Sequence, residues 1–376
     1  MMEPREYKEA DRRYYMPVFS REIQLVRGEG ARVWDDTGME YIDCVAGIAV
    51  CSTGHCHPEV VKAICDQSHR LIHCSNLYYV PHQAELVERL AGVSGLSRAF
   101  LCNSGTEATE AAVKLARVIT GRKTFIAFTH GFHGRTMGAL AVTHKPAIRE
   151  PFEPLEPRCA FLEFGDAEAV KATITRETAG VIVEPIQGEA GVIVPPEGFL
   201  STIRDCCDDT GALMIVDEVQ TGMGRTGRWL AIQHAGIEPD VVTLAKGMAS
   251  GFPIGALLAR EPFQFKKGEH GSTFGGGPVA CAAALATLRV IDRILPKIPG
   301  KGERFRSALA RHSPRGIGLM LGISVGDRCS SVQQQCRDQG VLVNCAADGN
   351  LRLVPPLVIT EEEIDRAAEV IDAALG

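Results

Sequence analysis

A lysine closes the apolar run VVTLA: Lys246 follows residues 241–245 and is itself followed by Gly247. An acid, Asp217, closes a second apolar run, LMIV. A lysine where a strand stops ordinarily has a dry stem and a head kept in water. Its amine can also be desolvated, lose its proton and form a Schiff base with a carbonyl. A third stretch, CNSGTEATEAAVKLAR, follows an apolar run and opens a helical pattern, with Gly105 and Thr106 at the start. Ser104 and Glu107 there fit a capping box, and the same helix N-terminus can hold a phosphate. The stretch lacks the lysine of a nucleotide P-loop.

Two other clusters compete for attention. GMGRTG at 222–227 has the G-x-G-x-x-G spacing, with Asp240 downstream, which raises a dinucleotide site and hence a nicotinamide dehydrogenase. Its glycines do not abut the strand, and Asp217 and Glu218 stand where an anionic pyrophosphate would be repelled. CSTGHCH gathers Cys51, His55, Cys56 and His57, but the paired spacings of a zinc site are missing. A tight glycine turn is the better reading there.

The elements that must position these groups alternate. From about residue 58 to 280, helical stretches such as PEVVKAICDQSHRLI and HQAELVERLAGV separate short apolar runs. Those runs, SRAFLC, TFIAF, CAFLEF, AGVIVEP, LMIVDEV and VVTLA, read as strands buried on both faces. Such an order predicts an α/β fold with a mostly parallel sheet between helices. Before about residue 45 the texture is strand-like, with DDTG as a hairpin turn. After about 283 it becomes a smaller α+β unit, closed by the helix EEEIDRAAEVIDAALG. The expected division is therefore 1–45 as a segment joining the small domain, 46–282 as the large domain and 283–376 as the small one.

Bulk properties narrow the function classes. The chain has 376 residues, a formal charge of −6, 45% hydrophobic and 23% charged residues. Mild acidity argues against a general nucleic-acid binder. No apolar run approaches the roughly 18 residues that span a bilayer. The charged N-terminus lacks the apolar core of a signal peptide. Thirteen cysteines without a repeating spacing suit a reducing compartment, so all are expected free and the protein cytoplasmic.

In open parallel sheets, ligands sit at the carboxyl ends of the strands. A lysine and an acid at two such ends can face one ligand, although a structural ion pair would give the same pattern. A carboxylate, a Schiff-base lysine and a phosphate-binding helix start are together what pyridoxal phosphate requires: a partner for its pyridine nitrogen, an amine for its aldehyde and an anchor for its phosphate.

At this point the sequence resembles the class III pyridoxal-phosphate aminotransferases, in their acetylornithine and ornithine branch. The motifs that carry the resemblance are NSGTEA, GFHGRT, VEPIQGEAGV, VDEVQTGMGRTG, TLAKG, HGSTFGG and LRLVPPL, in order along nearly the whole chain. The resemblance implies fold type I, a pyridoxal 5'-phosphate cofactor and a homodimer with shared active sites. Lys246 and Asp217 would be catalytic, with Lys246 the Schiff-base lysine and Asp217 paired to the ring nitrogen. Gly105 and Thr106 would bind the phosphate, Phe132 and Val219 would flank the ring, and Glu218 and Gln220 would complete the cofactor site. Thr273 would reach the phosphate of the partner subunit's cofactor, with Ser272 near substrate. Arg135 would hold the donor's α-carboxylate, and Arg352 that of glutamate or 2-oxoglutarate, with Glu189 as its resting partner. The implied reaction moves the terminal amine of N-acetylornithine to 2-oxoglutarate. Ornithine, 4-aminobutyrate, succinyldiaminopimelate and carrier-bound aminoadipate semialdehyde enzymes are the rivals within the family. Two departures stand out: Thr109 where the family usually has asparagine, and Gly277 in GGGP where GGNP is frequent.

Overall fold

A computed structural model of the chain describes residues 4–376. The N-terminal segment folds into three short antiparallel strands, β1 (Leu25–Glu29), β2 (Arg32–Asp35) and β3 (Glu40–Asp43). The DDTG turn between β2 and β3 is tied by Asp35, whose Oδ1 accepts from the backbone and hydroxyl of Thr37 and from the Met39 amide.

Seven strands make the central sheet: β4 (Arg98–Cys102), β5 (Thr124–Phe128), β6 (Cys159–Leu162), β7 (Thr178–Val183), β8 (Leu213–Asp217), β9 (Val241–Leu244) and β10 (Gly255–Ala259). Their order is β4-β10-β9-β8-β7-β5-β6. Strands β6, β5, β7, β8 and β9 pair in parallel, while β10 runs antiparallel to both β9 and β4. Every residue of β7, β8, β9 and β10 is buried, which accounts for their continuous apolar runs. β10, GALLA, is a strand that the sequence did not announce: a glycine and two alanines leave it without β-branched residues.

The chain ends in β11 (Arg315–Ile317), β12 (Met320–Ser324), β13 (Val341–Leu342), β14 (Asn344–Ala346) and β15 (Asn350–Leu353), followed by the helix Glu361–Leu375. Four of these form an antiparallel sheet in the order β11-β12-β15-β14. β13 instead pairs in parallel with β3, so the N-terminal strands and the C-terminal unit share a sheet. The helix Pro278–Ile294 runs without a break through residues 282 and 283, where the sequence division was drawn. Among the described residues no helix is long and apolar enough to cross a membrane.

One expectation fails. Cys329 and Cys345 form a disulfide, so the cysteines are not all free; the other eleven are. The helix Cys329–Asp338 packs against β13 and β14, which follow it in the chain, and this brings the two Cα atoms to 5.9 Å across a separation of 16 residues. That proximity is tertiary, and no cysteine spacing could have signalled it.

Candidate active site

The carboxyl ends of three adjacent parallel strands deliver three ionisable groups to one cavity of about 400 Å3. Glu184 follows β7, Asp217 ends β8 and Lys246 follows β9. The loop after β5 adds Phe132, His133 and Arg135, and the helix Gly105–Thr120 adds its first turn.

Lys246 sits at φ +40°, in the left-handed region, at the start of a short 3-10 turn. A non-glycine residue there costs on the order of 1–2 kcal/mol, a kind of strain that clusters at functional sites. Burial lowers the pKa of its ammonium, and nearby Arg352 adds to the effect, against the opposing charges of Glu189, Asp217 and Glu184. The amine is thus biased toward the neutral, nucleophilic form.

Asp217 is 4% exposed. Its Oδ1 accepts from the Val219 amide at 3.0 Å, and its Oδ2 lies 2.7 Å from His133 Nδ1. A carboxylate only accepts, so Nδ1 carries the proton in this pair. His133 is in turn fixed through its backbone, which donates to Thr143 Oγ1.

The helix Gly105–Thr120 is capped by Ser104, whose Oγ accepts from the Glu107 amide, while Glu107 Oε2 accepts from the Asn103 amide. The Ser104 cap therefore forms, but the reciprocal bond of a capping box does not, because Glu107 reaches the Asn103 amide instead of the Ser104 amide. Gly105 and Thr106 line the cavity at the positive end of the helix dipole. Close approach explains two glycines. A Cβ on Gly105 would meet Val219 at 2.8 Å, and one on Gly134, at φ +137°, would meet Thr106 Oγ1 at 2.3 Å. Thr109 packs one turn further on, with its buried hydroxyl unpaired.

Deeper in, Arg352 is fully buried and spends its guanidinium on four acceptors. Nη1 donates to Glu189 Oε1 at 2.6 Å, to Gln220 Oε1 at 3.1 Å and to the Gly188 carbonyl at 3.1 Å, while Nε donates to Asn344 Oδ1. Burial raises the Glu189 carboxyl, but the Arg352 charge and hydrogen bond outweigh it and hold it below the ordinary range. Arg135, by contrast, is exposed, and no carboxylate holds it among the described residues.

The sequence-derived residues Gly105, Thr106, Phe132, Arg135, Asp217, Val219, Gln220 and Lys246 all line this cavity. Glu189 and Arg352 join it through Gln220. Glu218 does not: its carboxylate turns away and accepts from Thr221 Oγ1 and the Ile232 amide. Ser272 lies at the margin, accepting from Asn103 Nδ2 at 3.3 Å, and Thr273 is exposed outside the cavity. His133, Glu184 and Val50 were missed. Glu184 carried the same signal as Asp217, an acid ending an apolar run, whereas His133 has none beyond standing next to Phe132.

The competing motifs have other tasks. In GMGRTG, Gly224 and Gly227 have positive φ and pack against Ile291, Leu295 and Pro299, around the buried Arg225. Arg225 Nη1 donates to the carbonyls of Leu319 and Pro355, tying this loop to the C-terminal unit. His55 Nε2 is engaged by Asp43 Oδ2 at 2.7 Å, and among the described residues no group of three or more His, Cys, Asp or Glu side chains could hold a metal ion.

A desolvated lysine, a buried carboxylate backed by histidine and a helix N-terminus around one cavity define the machinery of a pyridoxal-phosphate transferase. The chain belongs to the class III aminotransferases, whose family pattern it matches over residues 15–375. It is 50% identical over 376 residues to the acetylornithine aminotransferase of Methanosarcina acetivorans, covering 97% of this chain and 95% of that one. To the acetylornithine aminotransferase of Methanopyrus kandleri it is 52% identical, covering 96% and 97%. The crystal structure of ornithine aminotransferase from Toxoplasma gondii superposes with a TM-score of 0.96 at 32% identity, over 100% of this chain and 95% of that one. The fold is that of the fold type I aminotransferases and the cofactor is pyridoxal 5'-phosphate. The residues fit that group: the helix start at Gly105 and Thr106 faces the cavity, where its positive dipole end would hold a phosphate, and the buried Asp217 carboxylate on the same cavity would offer an acceptor to a protonated ring nitrogen.

Proposed function

We propose that this enzyme transfers the terminal amine of N2-acetyl-L-ornithine to 2-oxoglutarate, giving N-acetylglutamate 5-semialdehyde and glutamate, a step of arginine biosynthesis. Relatives at about half identity bear the name of that activity. The observation that carries the reading is the pair of arginines in unequal states. Arg352 is buried and masked by Glu189, whereas Arg135 is exposed and uncommitted at the mouth.

That arrangement suits two unlike substrates. The donor enters amine first, so its α-carboxylate lies at the far end, where the Arg135 guanidinium holds it with a two-pronged fork. Glu189 meanwhile cancels the charge of Arg352 beside the reacting carbon. For 2-oxoglutarate, whose α-carboxylate lies next to the reacting carbon, Glu189 swings aside and Arg352 takes that carboxylate. Bound in the cavity, pyridoxal phosphate supplies the carbonyl that accepts the amine and a ring that withdraws electrons. Gly105 and Thr106 hold the phosphate, and Phe132 and Val219 fix the plane of the ring. Asp217, held by His133, keeps the ring nitrogen protonated, and Gln220 reaches the ring hydroxyl. Lys246 Nζ takes the proton from the donor's amine-bearing carbon as general base. The semialdehyde leaves before 2-oxoglutarate enters.

The working unit in this reading is a cytoplasmic homodimer, with residues 46–282 as the large domain and the N-terminal segment joined to the small domain at 283–376. Support for the dimer comes from the exposed Leu77, Tyr78, Tyr79 and Phe274, an apolar group next to Thr273, which has no place in its own cavity. In the dimer Thr273 reaches the partner subunit's cofactor phosphate and Ser272 lies near substrate. A coupled assay with N-acetylornithine, ornithine, 4-aminobutyrate and N-succinyldiaminopimelate tests the substrate. The highest kcat/KM is expected for N-acetylornithine; a tenfold preference for any other donor overturns the reading.

A further inference from the structure

Glu184 is buried, at 5% exposure, and no step above uses it. Its two oxygens are split between two loops. Oε1 accepts from the Phe132 amide at 3.0 Å, and Oε2 accepts from the Gly188 amide at 3.0 Å. The carbonyl of that same Gly188 accepts from Arg352 Nη1, and the next residue is Glu189. The 187–189 backbone is therefore clamped from both sides at the base of the Glu189 side chain. A Cβ on Gly188 would stand 2.3 Å from Gln220 Oε1, so this peptide has no slack on that side.

We infer that Glu184 is a positioning residue that pins with one carboxylate the loop carrying Phe132 and the loop carrying Glu189. Resting on the reading of Glu189 and Arg352 given above, the pin makes the swing of Glu189 a side-chain movement over a fixed backbone. It also sets the Phe132 plane and the Glu189 position from one anchor, so both follow the same charge. The carboxylate form serves both amides best. In the protonated acid one oxygen becomes a hydroxyl, a donor and a weaker acceptor, so one of the two N–H groups is held less strongly. The groups that face Glu184 are His133 and Asp217 from the neighbouring loop and strand and Lys246 from the turn after β9. Burial, with the Asp217 charge, raises its carboxyl to about 7 against the pull of His133 and the two amides. The pin therefore holds above neutrality and loosens below it.

The test is amide hydrogen–deuterium exchange on the purified protein, with and without added pyridoxal phosphate, in the wild type, E184Q and E184A. At pH 8 at least one of the two wild-type amides, Phe132 or Gly188, should exchange roughly 10- to 100-fold slower than its counterpart in E184Q, whose side chain has only one acceptor oxygen and cannot hold both. Between pH 8 and pH 6, once intrinsic exchange is divided out, the wild type should lose this protection while E184Q stays flat. Equal protection in wild type and E184Q, or a wild-type profile flat across pH 7, overturns the inference. Single-turnover rates supply the second arm: E184Q should raise the ratio of α-amine transfer from glutamate to terminal-amine transfer by about threefold or more, and an unchanged ratio overturns the link to Glu189. Glu189→Ala is the control. If that variant leaves the ratio unchanged, the gating role of Glu189 falls, and the exchange arm still decides the pin.

Discussion

Replacing Arg352 by alanine should separate the two half-reactions of the proposed cycle. The guanidinium is fully buried and makes hydrogen bonds to Glu189, Gln220, Gly188 and Asn344. Truncating one partner of a buried, hydrogen-bonded charge pair costs about 2–5 kcal/mol. Glu189 keeps 34% of its side chain in solvent, so part of its penalty is relieved by water and the lower half of that range applies. At about 1.4 kcal/mol per factor of ten, roughly 2–3 kcal/mol corresponds to a ~30- to 150-fold fall in kcat/KM for 2-oxoglutarate. The proposed N-acetylornithine half-reaction, in which Arg135 would hold the carboxylate, should lose about threefold at most, from loosening around Gln220. Arg352→Lys keeps the charge and loses the fork, so it should fall between the two, and it guards against a variant that merely misfolds. Stopped-flow absorbance of the bound cofactor, with each substrate added alone, reads the two rates separately. Equal losses in both half-reactions would refute the reasoning, because a structural arginine has no preference between substrates.

Further outcomes follow from other parts of the site. Asp217→Asn should still bind cofactor but lose about 100-fold or more in kcat, because a neutral amide no longer favours a protonated ring nitrogen; the ring's absorbance should shift with it, and an unchanged spectrum with near-normal turnover would count against the role. His55, held by Asp43, is raised to about 10, so its contribution is fully present below the unfolded value near 6.5 and lost as pH climbs through about 10. Unfolding free energies of the wild type and His55→Gln from denaturant titration should therefore differ by roughly 2–4 kcal/mol at pH 6 and converge toward pH 10. Alkylation of denatured, unreduced protein should modify eleven cysteines and leave Cys329 and Cys345 linked. Cys329→Ser should cost about 3 kcal/mol of stability, as closing a loop of this length implies, and urea unfolding with and without reductant checks it.

How much of this was legible in the chain depends on whether a residue's role is local. Lys246 and Asp217 stand out because a charge ending an apolar run is a local contradiction, and parallel sheets put such ends together. The helix cap at Ser104 is local too, and its half of the expected capping box formed, while Glu107 took the Asn103 amide in place of the Ser104 one. Glu184 obeyed the same rule as Asp217, yet an acid before proline in VEPIQ also reads as an ordinary strand exit. His133 reaches Asp217 across 84 residues, and no periodicity carries that distance. Arg352 and Glu189 lie 163 residues apart, and only the motifs GEAGV and LRLVPPL, taken as family resemblance, joined them. Strand β10 was lost to its glycine and alanines, which lack the branched side chains that mark a strand. The left-handed turn Ala46–Ala49 was equally silent, because three of its four residues are not glycine. There Asp43 compensates, taking the Val45 and Ala46 amides on Oδ1 while His55 holds Oδ2.

In the proposed mechanism, Lys246 is the amine that carries the cofactor and the reaction. Borohydride reduction of the protein loaded with pyridoxal phosphate, followed by proteolysis and mass spectrometry, locates the covalent attachment directly. The reduced cofactor is expected on Lys246 and on no other lysine, with no attachment in a Lys246→Ala variant that folds normally. Cofactor fixed to another lysine, or fixed equally well in that variant, would contradict it.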